Sequence, residues 1–107
     1  MPATQTFTVG ARLGRRIAGW PFGRLDVADD GLGLRFWPAA RFSPRSAPKG
    51  TIVTVRIRRR YLRTFLDIED SAGVFRDVGL EIPYGVSRLV SELNCRGYPV
   101  IDQRDGR

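Results

Sequence analysis

Residues 54–63 read TVRIRRRYLR, five arginines in ten positions interleaved with Val55, Ile57, Tyr61 and Leu62. Guanidinium groups at this density offer forked donors to phosphate or carboxylate. Arg56 and Arg58 fall opposite Val55 and Ile57, which the solvated side of any half-buried strand also requires. Arg58, Arg59 and Arg60 go further. Three adjacent cations repel one another, and a turn at this point favours Gly, Asn or Asp instead. An anion-facing surface and a solvated basic hairpin are therefore both open readings. The stretch 41–63 holds Arg41, Arg45 and Lys49 as well, and carries a net +8 with no acid. The flanks differ: 1–24 carry +4, 25–40 carry −2, and 64–107 carry −3.

Other reactive constellations are weaker. The chain has no histidine, so an imidazole base and a zinc site are not expected. Cys95 has no histidine to activate it, and its place beside the apolar stripe of a helix reads as a half-buried structural thiol. Asp67, Glu69 and Asp70 could hold a hard cation or do acid–base work. They read more simply as the solvated end of a hairpin that partly neutralises the arginines. Gly31-Leu32-Gly33 lacks the further glycine and the helix of a nucleotide loop. Trp20, Phe22, Phe36 and Trp37 could stack on bases. Phe36 and Trp37 are adjacent, however, and must face opposite sides of a strand. Packing in the core or at its rim is the expected role of these aromatics.

The elements that must position these residues fit in one domain, because 107 residues cannot be divided into two stable cores. Its core should form without metal or disulfide. Of 18 basic residues 17 are arginine, a bias that GC-rich coding alone would produce. Cys95 is the single cysteine, so a reducing compartment is the default. The N-terminal stretch has no apolar segment typical of a secretory signal, and no window is apolar enough to span a membrane. A cytoplasmic protein is expected.

Along the chain, Thr6–Gly10 alternates as a short strand, and 12–18 is ambiguous between helix and strand. Leu25 and Val27, then Leu32, Leu34 and Phe36, alternate on either side of Asp30-Gly31, a hairpin pattern in which glycine accepts a positive φ. Pro38, Pro44 and Pro48 predict a long loop over 38–50. Val53, Val55 and Ile57 should then face the core, followed by a turn near 58–60 and a strand with Leu62, Thr64, Leu66 and Ile68 inward. Val74–Ile82 reads as one more strand. Val86, Leu89, Val90 and Leu93 fall on one helical face, with Pro83 suited to the first turn and Gly97 to the stop. A helix over 84–96 follows, with residues 1–5 and 101–107 as loose ends.

Six or seven consecutive strands before one helix imply an α+β arrangement, a strongly bent antiparallel sheet capped by its C-terminal helix. With WPFGRLDVADDGLGLR at 20–35 and VSRLVSELNCRGYPV at 86–100, the chain resembles small bacterial pleckstrin-homology-like (PH/GRAM-like) domains, over residues 20–100. The first segment is similar to that family's opening hairpin, the second to its closing helix. The resemblance implies a barrel-sandwich with no enzymatic activity and no cofactor, in a family that binds phosphoinositides, peptides or partner proteins. Lys49, Arg58 and Arg60 before Tyr61-Leu62 also resemble the family's loose basic pattern, which there lies on the first hairpin and here lies mid-chain.

The reading is a non-catalytic module that engages an anionic partner, a lipid headgroup or an acidic protein surface. Arg41, Arg45 and Lys49 on the proline-rich loop and Arg58, Arg59 and Arg60 on the hairpin would form the site. Two further readings share the same charge. One is a nucleic-acid binder, although the C-terminal helix carries only Arg88 and Arg96 against Glu92. The other is an assembly subunit whose edge strands accept a partner strand.

Overall fold

The computed structural model describes residues 4–37 and 43–104. Eight strands and one helix follow one another as β1 (Gln5–Leu13), β2 (Arg16–Val27), β3 (Gly31–Phe36), β4 (Arg45–Pro48), β5 (Ile52–Arg60), β6 (Arg63–Asp70), β7 (Val78–Glu81), α1 (Val86–Cys95) and β8 (Val100–Gln103). They make one open, bent sheet in the order β4-β3-β2-β1-β7-β6-β5-β8. The sheet-plus-helix class expected from the sequence is present. The strand number is eight rather than six or seven.

β1 joins the two halves of the sheet. It pairs with β2 along nearly its whole length and with β7 only through Gly10–Leu13. The bend falls where the β1–β2 register shifts, between Val9 and Ala11. Residues 19–22 of β2 bulge opposite the single residue Gly10, whose position would bring a Cβ to 2.8 Å from the Trp20 nitrogen. Only a residue without a side chain lets the backbones approach this closely.

Alternation explains most of the core. Val9, Leu25, Val27, Leu34, Val55, Ile57, Leu66 and Leu80 point inward and are buried together with Leu89 and Leu93 of the helix. α1 follows β7 directly and lays this stripe onto the sheet, while Val86 and Val90 pack at its margin. Its C-terminus closes with paired turns, Tyr98 N–H to Leu93 O and Gly97 N–H to Asn94 O, with Gly97 at φ 78°. This left-handed cap brings buried Tyr98 back against Leu93.

Several local expectations are corrected. The helix begins at Val86 behind Gly85, so Pro83 precedes it instead of opening it. The ambiguous 12–18 segment is the tight end of the β1–β2 hairpin, with Leu13 opposite Arg16. Residues 45–48 form strand β4 despite Pro44 before it and Pro48 as its last residue. β4 is an edge strand, where a missing N–H can face away from the ladder. Gly31 has no positive φ; a Cβ there would lie 2.6 Å from the Ala47 oxygen, so the residue admits β4. A register shift between Ile52 and Thr54 turns Ile52 inward and leaves Val53 exposed. The turn expected at 58–60 lies at Tyr61-Leu62, because Arg60 and Arg63 still pair across the ladder. Only Val78–Glu81 of the segment 74–82 is strand. Asp70 accepts the Val74 and Phe75 N–H groups and holds residues 71–77 in turns. Residues 101–103, expected in a loose tail, lie parallel to β5 in β8.

Candidate functional site

Residues of β5, β6, β7, β1 and β2 line a groove of about 840 Å³. The register builds it. Arg58 stands opposite Phe65, Phe65 opposite Glu81, and Glu81 opposite Gly10. On β1, Arg12 is flanked by Ile17 of β2 and Gly79 of β7. Arg58, Arg59, Arg60 and Arg63 form one wall, while Arg12 and Ile17 stand across the groove. Gly19 and Gly79 contribute to the floor, and no heavy atom lies within 4 Å of where a Cβ of either would sit. Glycine weakens a strand by roughly 0.5–1 kcal/mol relative to alanine. A bare strand backbone under open space therefore suits close approach by something else.

Charge in the groove is unbalanced. Arg58 pairs with Asp67 at 2.6 Å and Arg63 with Glu81 at 3.3 Å. Among the described residues, Arg12, Arg59 and Arg60 form no ion pair. Arg59 follows the inward alternation of Val55 and Ile57 yet is exposed, because β5 runs past the end of the core there. Guanidinium groups without an ion pair on both sides of the groove, Arg59 and Arg60 on one wall and Arg12 across from them, with the apolar surfaces of Ile17 and Phe65 between, can hold a partner that is both anionic and partly apolar.

The six residues proposed from the sequence do not form one site. Arg58, Arg59 and Arg60 line the groove. Arg45 on β4 instead donates to Asp77 at 2.6 Å and to the Val74 carbonyl, tying the sheet edge to the β6–β7 loop. The same contact holds the Asp77 carboxyl below its usual range. Lys49 donates to the Arg96 carbonyl at the helix end and lies over the Tyr98 ring at 5.4 Å. Arg41 lies outside the described residues. Arg12, Ile17, Phe65, Gly19 and Gly79 were not singled out as site residues. The two strand glycines were the available signal.

Other candidate groups also find places. Cys95 is exposed and not half-buried. Asp67 neutralises Arg58, as the hairpin reading holds, but Asp70 is buried and serves the loop behind it. Burial pushes the Asp70 carboxyl up, yet backbone N–H donors from Phe75 and Val74, with smaller help from 72 and 73, outweigh it and leave the group below its usual range. Phe36 is in the core and Trp37 is exposed, the opposite-side placement their adjacency requires. Trp20 and Phe22 are exposed on the β2 bulge rather than packed, and Trp20 meets Tyr84 edge-on at 5.5 Å. Among the described residues, no helix is long and apolar enough to cross a membrane. A scan against protein-family models gives no match to the chain, and a search of curated proteins gives none either.

Proposed function

We propose that the protein is a non-catalytic binding module of the pleckstrin-homology-like kind that engages an anionic partner through the arginine-walled groove. The succession β1 to β7 in one bent antiparallel sheet, followed at once by α1, supports that fold reading; β8 is an addition to it. The observation that carries the functional reading is the concentration of Arg12, Arg59 and Arg60, none of them ion-paired, around a glycine floor. Arg45 and Lys49 take no part, since their charges are engaged within the fold.

Binding of this kind depends on charge and salt. Replacing Arg58, Arg59 and Arg60 with Glu is expected to abolish retention by heparin, duplex DNA and anionic vesicles. All three side chains are exposed, so the melting temperature should hardly change. For DNA, four phosphate contacts would give a log–log salt slope of about −3.6. A wild-type chain that ignores all three polyanions at low salt would overturn the proposal, and the arginines would then be a consequence of composition.

A further inference from the structure

The groove ends at the β5–β6 hairpin, and its tip is unusual. Tyr61 is 87% exposed and Leu62 92%, more than any other large apolar residue in the described chain. Tyr61 also holds a left-handed backbone, φ 58°, where Asn or Gly would sit without strain. The turn thus keeps two large apolar side chains in water at a backbone position that disfavours one of them. Neither packs on the core; the Tyr61 ring meets the Arg60 guanidinium, 5.9 Å from its centroid, and Leu62 stands in solvent. Arg58, Arg59 and Arg60 precede the tip and Arg63 follows it. Ile82 N–H bonds to Thr64 O at the base of the same hairpin, two residues before exposed Tyr84, which carries Trp20 against it. Aromatic and aliphatic groups therefore emerge beside the cations at one end of the sheet.

An apolar tip ringed by arginines matches one environment closely, the interface of a bilayer with anionic headgroups. Leucine enters the acyl boundary, tyrosine sits at headgroup depth, and arginines reach back to phosphate along their apolar stems. We propose that the β5–β6 hairpin is a membrane anchor, with Tyr61 and Leu62 inserted and Arg59 and Arg60 on lipid phosphates. This rests on the anionic-partner reading and specifies the partner as a lipid surface. Recognition here follows surface charge and apolar depth, with no demand for one headgroup. A nucleic acid would use the same arginines but would leave Leu62 without a role.

The test uses sedimentation with vesicles of phosphatidylcholine containing 30% (about one lipid in three) phosphatidylserine, alongside heparin retention. The Tyr61→Asn/Leu62→Ser chain is expected to lose at least about tenfold in vesicle affinity and keep its heparin retention. The Arg59→Glu/Arg60→Glu chain should lose both. Wild-type binding to vesicles should retain a salt-resistant part that heparin binding lacks, and free inositol phosphates should not displace it. In a Cys95→Ser background, an environment-sensitive fluorophore on Leu62→Cys should shift to the blue with vesicles, while the same label on Ser71→Cys should not. Unchanged vesicle affinity in the tip variant, or no shift at 62, overturns the anchor while leaving the anionic-partner reading standing. Loss of heparin retention in the tip variant alone would also overturn it, because the tip would then serve polyanions in general. Failure of the wild type on vesicles and heparin alike would remove both.

Discussion

Two basic regions of the molecule are put to different uses. Around the end of α1, Lys49 bonds the Arg96 carbonyl, and Arg96 reaches Asp29 at 2.9 Å and Glu92 at 3.1 Å with its side chain 9% exposed. Tyr98, in the same cluster, donates to the Ala28 carbonyl at 2.6 Å. Its hydroxyl is pushed up to about 12, by burial first and then by the Asp30 charge. On the β5–β6 hairpin, Arg59 and Arg60 stand in solvent beside the exposed Tyr61 and Leu62. Cations in the first region bind the β2–β3 turn and the β4–β5 link to the helix. Those in the second do nothing for the fold. Charge count alone does not separate such regions; the separation comes from whether backbone carbonyls and carboxylates converge on each cation.

The widest contrast lies between two leucines. Leu93→Ala should destabilise by about 2–5 kcal/mol, because the side chain is fully buried under the sheet. Leu62→Ala should be close to neutral in thermal or denaturant unfolding. Similar losses at both positions would break the comparison. Next come two arginines: Arg96→Ala should lower the melting temperature by removing charged hydrogen bonds to Asp29 and Glu92, whereas Arg59→Ala should leave it nearly unchanged.

Acid should act on the fold through buried Asp70. Asp70 has a carboxyl below its usual range in the fold, so its contribution is present above the unfolded value of about 3.9. It fades as pH falls through the lower, folded value. Melting temperature measured from pH 8 to 2 should be flat down to about pH 5 and then drop, and Asp70→Asn should flatten the acid limb. The smallest effect has the opposite sign. Tyr61→Asn relieves the left-handed turn and should stabilise by about 0.5–1 kcal/mol, while weakening vesicle binding. A destabilised Asn variant would mean that Tyr61 supports the hairpin, and the contrast between the two regions would narrow.

Much of this was legible from residues alone. Alternating Leu25, Val27, Leu32 and Leu34 could only be a hairpin with one buried face, and the 86-89-90-93 spacing could only be a one-sided helix. Glycine at 97 stopped that helix through a left-handed cap. These are local properties, governed by side-chain period and allowed backbone angles, and they survive in any tertiary setting. The period failed where neighbours shifted it. Val53 is exposed because β5 slips against β6 one residue earlier, and residues 45–48 pair because β3 has a free edge to offer.

The candidate site was mostly beyond sequence reading. Arginine density located the hairpin at 58–60, and nothing local could show that Arg12, Ile17, Phe65 and Gly79 come from four other strands to complete a groove. Nor could it show that Arg45 and Lys49 would find Asp77 and the Arg96 carbonyl far along the chain. By itself, then, the sequence determined which segments extend, which one coils and where positive charge accumulates, because these follow from residues within a few positions of one another. Tertiary structure alone decided which cations are neutralised and which stay free. That outcome depends on strand order and on the bend at Gly10, which bring together groups separated by dozens of residues.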